Sequence, residues 1–246
     1  MKTMGFDESN TKAHLVDKQL KLWNAQCRAF NEKTVDKPGF QFLTVAEDEG
    51  SLGKEITGEL SLRLGWHIFD DEIIHYIAQN SHVSEKLVRK LDKKSQGGVQ
   101  ETIERFLKTI EANSFSGDDY HEGLIVTFLC LAKQGSAILV GRGGNFALSS
   151  EKRGLKIRLT ASPKVRINRL AELWKVDIKE ARRKMLENDE EKKKFIHHYY
   201  YHDYDDVQFY DIIFNTDRTP VDRIVSSILG FVNPPAEAKS SLIQAG

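Results

Sequence analysis

The sequence predicts an α/β fold, a parallel sheet of five short strands with helices on both faces. From Gly39 onward, short apolar runs alternate with stretches of helical periodicity. One of these runs, Ala137-Ile-Leu-Val140, is continuously apolar, as a strand buried on both faces must be. Unusual chemistry collects at three predicted strand ends: Glu47 to Lys54, Asp70, and Gly141-Arg142. Sheets of this kind bind ligands beyond the carboxyl ends of their strands, so these three ends mark the candidate site.

The first 38 residues read as a helical extension. Val16, Leu20, Trp23, Cys27 and Phe30 recur at spacings of 4, 3, 4 and 3, an apolar stripe on one helix face. The helix is expected to start near Ser9 or Asn10 and to end before the breaker Lys37-Pro38-Gly39. Its stripe suits either packing on the domain's own surface or pairing with a second copy of the chain as a homodimer. Phe42, Leu43 and Val45 mark the first strand, and an amphipathic helix runs on to Leu64. His67-Ile68-Phe69 is a second strand, ending at Asp70-Asp71.

Helical patterns follow at Ile73, Ile74, Ile77 and Ala78, and from Val83 to Leu91 with Ser84 as the expected cap. Gln96-Gly97-Gly98 breaks the pattern, and Ile103, Phe106, Leu107 and Ile110 resume it. Ser114 to Asp119 reads as a loop and Leu124 to Lys133 as an apolar helix. Ala137–Val140 is the third strand and Leu155 to Thr160, which alternates, the fourth. Pro163 opens a helix at the first turn, where proline is tolerated. Charged helices continue through Lys179 to about Lys194. Asp211 to Phe214 is the last strand and Val221 to Phe231 the closing helix. The stretch 235–246, after Pro234-Pro235, is expected to be a flexible tail.

Composition narrows the function classes. With 40% apolar residues the chain can bury a core, and Lys plus Arg equals Asp plus Glu at 36 each. That balance gives no basis for a nucleic-acid or membrane partner. Cys27 and Cys130 stand far apart, against a disulfide framework or structural zinc and in keeping with a reducing compartment. The polar start MKTMGFDESN and the lack of any run of about 18 apolar residues point to the cytoplasm.

Thr44 to Leu64 joins a strand, a glycine turn and a helix. Converging backbone N–H groups, the positive helix end and Lys54 suit such a turn to phosphate. Against the P-loop pattern G-x-x-x-x-G-K-[ST] it keeps Gly53-Lys54, but has Asp48 for the first glycine and Glu55 for the Mg²⁺-binding hydroxyl. Thr57 lies a turn too far to replace it. HHYYYHDYDD (197–206) fits no common zinc spacing and reads as an aromatic connector, so no metal held directly by protein is expected.

Over about residues 41–232 the sequence resembles the cytidylate kinase-like branch of the P-loop nucleoside monophosphate kinases. EGSLGKEI (49–56) resembles that branch's phosphate loop, where Glu commonly follows the basic residue. FDDEII (69–74), ILVGRGGNFAL (138–148), KIRLTASPKVRINRL (156–170), ENDEEKKKF (187–195) and YDIIFNTDR (210–218) resemble its later segments in order.

The resemblance implies a three-layer P-loop sandwich with strand order 2-3-1-4-5, helical acceptor and lid insertions, and the extra N-terminal helix outside it. It divides the chain into the extension 1–38, a kinase-like domain 39–234 with its lid at about 176–206, and the tail. The implied reaction is transfer of the ATP γ-phosphate to a nucleoside monophosphate, plausibly CMP, with Mg²⁺. The alternatives are a nucleotide-binding module with little catalysis, or a kinase for another small acceptor.

It also implies residue roles. Lys54 would bridge the donor's β and γ phosphates while Gly50, Ser51, Gly53 and Glu55 shape the loop around them. Arg142 would bind phosphate bidentately. Asp70 would orient the acceptor or a Mg²⁺-bound water, unless it caps its helix. Asp189 and Lys192 match the lid's D-x-x-R, with Arg182 and Arg183 as other lid cations. Asp217 and Arg218 fall where related kinases hold adenine. Departures cluster at Glu47, Asp48 and Glu49, at Leu52 for a loop glycine, and at Asp71 for a basic residue.

Overall fold

A computed structural model describes residues 39–89 and 117–233, together with positions 16, 18–23, 25, 104, 107 and 108. The chain forms two compact units, Met1–Pro38 and Gly39–Gly246. In the first, Val16, Leu20 and Trp23 are buried while Leu22 is exposed, the sidedness the stripe requires. Cys27, Phe30, the breaker at 96–98, Ile103, Phe106, Ile110 and the tail lie outside the described residues.

Five strands form one sheet: β1 (Phe42–Glu47), β2 (His67–Phe69), β3 (Ala137–Val140), β4 (Gly154–Thr160) and β5 (Ile212–Asn215). All neighbours are parallel, in the order β2-β3-β1-β4-β5, the order the family resemblance implies. Central β1 pairs on both edges, with Val45 opposite Val140 on one side and Ile157 on the other. Five of its six residues are buried, four of them apolar and the fifth Thr44, as a central parallel strand covered on both faces requires.

The helices are α1 (Gly53–Leu64), α2 (Asp71–Gln79), α3 (Ser81–Arg89), α4 (Gly117–Gln134), α5 (Gly144–Ala147), α6 (Pro163–Trp174), α7 (Ile178–Tyr200) and α8 (Val221–Val232). On one face of the sheet Leu43, Val45, Ile138 and Ile157 pack against Ile56 and Leu60 of α1 and against Ile224, Val225 and Ile228 of α8. Beyond the other face, α4 packs on α2 and α3. There Ala46 also meets Phe146, Ile196, Tyr204 and Tyr210. Each large side chain so buried contributes roughly 1.5–3 kcal/mol.

Three local expectations are corrected. Helix α4 begins at Gly117, so the loop expected up to Asp119 ends earlier. Ser84 lies inside α3 with its hydroxyl donating to the Ile77 carbonyl at 2.6 Å; Asn80 does the capping, its Oδ1 accepting from the Val83 N–H at 3.2 Å. Helix α7 runs past Lys194 to Tyr200, turning the first four of the ten residues of the supposed connector into helix. Its aromatic residues face Ala46 and Phe146, and that apolar contact carries the helix on. Asp177 starts it, accepting from the Glu180 N–H at 2.8 Å, a cap worth about 1 kcal/mol.

Candidate functional site

The turn between β1 and α1 is bent by two left-handed residues, Gly50 (φ 84°) and Leu52 (φ 65°). Gly50 is needed for space as well, since a β-carbon there would press within 3.0 Å of the Arg166 carbonyl and Leu170. No side chain caps the start of α1, which leaves its first N–H groups to another acceptor. Ser51 is buried and its hydroxyl has no partner among the described residues. Lys54 and Glu55 are exposed at the first turn, whereas Thr57 is buried and donates to the Gly53 carbonyl at 2.8 Å. Gly53 lies under the Glu47 carboxylate, where a β-carbon would collide with it.

Helix α7 closes over this turn. Lys192 donates to the Glu47 carbonyl at 2.9 Å, and the Asn188 amide to the Glu49 carboxylate at 2.7 Å. Asp189 takes a two-pronged bond from Arg166 at 2.6 and 2.8 Å. Arg166 also reaches the Glu49 carbonyl at 2.7 Å, so one guanidinium ties α7 to the turn. Asp48 is held by Arg158 at 3.2 Å and by the Thr160 hydroxyl at 2.6 Å. Burial alone would lower the pKa of Arg158; Asp48 and Asp205 outweigh it and hold it above its ordinary value. An open polar hollow lies between Asp48, Arg158, Arg166, Asp189, Lys192 and Tyr204.

Glu47 is pushed above the usual carboxylate range, first by burial, against the opposing pull of Lys192 and Lys54. Both lysines therefore favour the charged form of this carboxyl, while burial opposes it. Asp71 acts on the same carboxyl, and its own carboxylate stands 3.9 Å from Arg142. Arg142 has a left-handed backbone (φ 49°); its guanidinium lies over the Phe195 ring at 5.1 Å, and its carbonyl accepts from the Tyr200 hydroxyl at 2.7 Å. Beside it, His75 and Tyr120 share a 2.7 Å hydrogen bond. Burial pushes Tyr120 up to about 12 and lowers His75.

The other expected residues divide clearly. Asp70 caps α2, accepting from the Ile73 N–H at 2.9 Å. Arg182 and Arg183 are exposed, and Arg183 is paired with Glu180 and Glu187 on its own helix; neither joins the turn. Asp217 accepts from the Ser162 N–H with both oxygens, clasping the end of β5 to the start of α6, with exposed Arg218 next to it. Three arginines were missed by reading the sequence: Arg158, Arg166 and Arg169, the last donating to the Gly50 carbonyl at 3.1 Å and to Thr216. Lys156-Arg158-Thr160 alternates along β4, and Arg166 and Arg169 are one helical turn apart on α6. Those spacings were the available signal.

The hydroxyl that follows the P-loop lysine and holds Mg²⁺ has no counterpart in this turn. Glu55 stands in the hydroxyl's place, Thr57 is turned to a carbonyl, and Asp70 is engaged as a cap.

The sequence profile of the cytidylate kinase-like family matches residues 42–218. No curated protein matches. Among solved structures, an uncharacterized protein from Eubacterium ventriosum is 17% identical with a TM-score of 0.58, covering 79% of this chain and 98% of that one. A shikimate kinase from Bacteroides thetaiotaomicron is 15% identical at a TM-score of 0.40, over 76% of this chain and 95% of that one. A second shikimate kinase, from Acinetobacter baumannii, is 12% identical at 0.38, over 78% and 92%. The first of these likenesses bears on the fold.

Proposed function

The chain belongs to the cytidylate kinase-like family, and we propose that it transfers the ATP γ-phosphate to a nucleoside monophosphate, with CMP the first acceptor to try. The observation that carries this reading is an uncapped helix start with Lys54 in its first turn, preceded by the buried Ser51 hydroxyl and approached from α7 by Lys192, which bonds the Glu47 carbonyl. Phosphoryl transfer asks little covalent help from protein; it needs in-line positioning and positive charge around the moving group. Lys54 would lie along the donor's β and γ phosphates, and Lys192 would approach from the lid side. Arg142, next to Asp71, would hold the acceptor's phosphate. The bond from the γ phosphorus to the β–γ bridging oxygen breaks as an acceptor phosphate oxygen bonds to that phosphorus, and ADP leaves. Mg²⁺ would enter with the nucleotide, neutralising charge on its phosphates.

Incubation with ATP, Mg²⁺ and a panel of nucleoside monophosphates tests the reading by ADP release. Lys54→Ala should lower that rate at least ~100-fold, as loss of transition-state charge stabilisation predicts; an unchanged rate would remove Lys54 from the chemistry. One observation favours a second reading, a binding module with little catalysis: the Glu47 carboxylate already lies over Gly53. ATP-dependent thermal stabilisation without turnover on any acceptor would select that second reading. The Asp71 carboxylate close to Arg142 also makes non-nucleotide acceptors worth including in the panel.

A further inference from the structure

The three consecutive acids of the turn have different partners. Asp48 is engaged by Arg158 and Thr160, and Glu49 by Asn188. Both carboxylates are therefore fixed to side chains of β4 and α7. The Glu47 carboxylate is instead laid over Gly53, the first residue of α1. Lys54 of α1 and Lys192 of α7 face it as cations, while Glu49 of the turn and Asp71 of α2 face it as acids. The same turn holds the buried, unpartnered hydroxyl of Ser51 and an uncapped helix start, polar groups that await an acceptor.

We propose that Glu47 is an internal plug, its carboxylate filling the space over Gly53 that a phosphate group needs, so that a polyphosphate binds only by displacing it. The inference rests on the kinase reading and deepens it, because it names the residue that sets nucleotide affinity and the class of ligand able to overcome it. Two anions cannot share the space over Gly53 without strong repulsion. A ligand carrying several linked phosphates brings enough charge to the surrounding cations to evict one carboxylate; a single phosphate does not. The site therefore selects di- and triphosphates over inorganic phosphate. Once displaced, Glu47 leaves Gly53 open, as close approach of a phosphate to that backbone requires.

Titration calorimetry of the whole chain with inorganic tripolyphosphate and, separately, inorganic phosphate at neutral pH tests the plug. Glu47→Gln keeps the volume and removes the charge, and Glu47→Ala removes both. Both variants should bind tripolyphosphate at least about tenfold more tightly than the parent chain, alanine the more so. Inorganic phosphate should bind measurably to Glu47→Ala alone. Equal or weaker tripolyphosphate binding by the folded Glu47→Gln protein, checked by its melting curve, overturns the plug. ADP release separates the two claims. A parent chain that turns over ATP, with variants that bind no better, sinks the plug and leaves the kinase standing. Tighter tripolyphosphate binding by the variants, with no ADP from any of the proteins on any acceptor, upholds the plug and sinks the kinase.

Discussion

Helix α7 first packs Ala181 and Met185 on Leu170 and Ala171 of α6, and then, from Asn188 to Lys193, meets the rest of the domain through charge: Asn188 on Glu49, Asp189 on Arg166, Lys192 on the Glu47 carbonyl and Lys193 on Asp205. From Phe195 to Tyr200, the aromatic half of this contact region, it meets the domain through rings. Phe195 lies under Arg142, Tyr200 stacks on Phe146 with centroids 5.8 Å apart, and Tyr199 meets Tyr120 edge-on at 5.4 Å. The difference matters because charged groups can exchange a carboxylate partner for a phosphate one, whereas stacked rings have no such substitute. The aromatic half is thus suited to fix α7 in place, and the charged half to exchange partners.

The largest test of that division is Tyr200→Ala. The ring fills the space that a β-carbon on Gly143 would claim, and its hydroxyl holds the Arg142 carbonyl. Its loss should cost about 3–5 kcal/mol in urea unfolding. A loss below about 1 kcal/mol, within the range of an exposed surface site, would mean the aromatic half is not an anchor. Next comes Arg166→Ala, which strands Asp189 in a half-buried position, the arginine side chain itself being only 7% exposed. About 3 kcal/mol is expected, together with faster hydrogen exchange confined to the stretch of α7 from Asn188 to Lys193. Exchange rising equally across Phe195 to Tyr200 would erase the distinction.

The smallest effect is expected at Asp205, whose side chain is 45% exposed. Burial alone would raise its pKa, but hydrogen bonds from Lys193 and Arg158 outweigh that and hold it below 3.8. A depressed carboxyl stabilises the fold above its unfolded pKa of about 3.9, and that contribution is lost as pH falls further through the folded value. Asp205→Asn should therefore cost under about 1 kcal/mol at neutral pH and flatten the acid side of the melting curve below about pH 4. A loss unchanged between neutral and acid conditions would show that its charge is not involved.

The strand count was legible because a parallel strand buried on both faces is largely apolar, as Ala137–Val140 is throughout, whereas the sheet order came only from the family resemblance. Lys54 and Arg142 were legible because they stand at strand or helix ends beside glycines. Arg158 and Arg166 were not, because β4 and α6 carry them inside ordinary amphipathic patterns; only the fold brings Asp48 and Asp189 to them. The run HHYYYHDYDD misled for a related reason. Its histidines and tyrosines match the polarity of a loop, yet the rings of Tyr199 and Tyr200 find aromatic partners from α4 and α5, and helix results. Arg182 and Arg183 were singled out by charge, but face solvent on a helix whose opposite side makes the contacts.

Leu52 carries a consequence of another kind. A leucine in the left-handed region costs roughly 1–2 kcal/mol that a glycine would not, and its side chain packs on the apolar cluster beneath α1. That packing offsets the cost and removes freedom the turn would otherwise keep. The conformational entropy of this stretch is therefore surrendered when the chain folds rather than when a ligand arrives. A glycine in its place would return that entropy to the unliganded protein, and each binding event would have to remove it again.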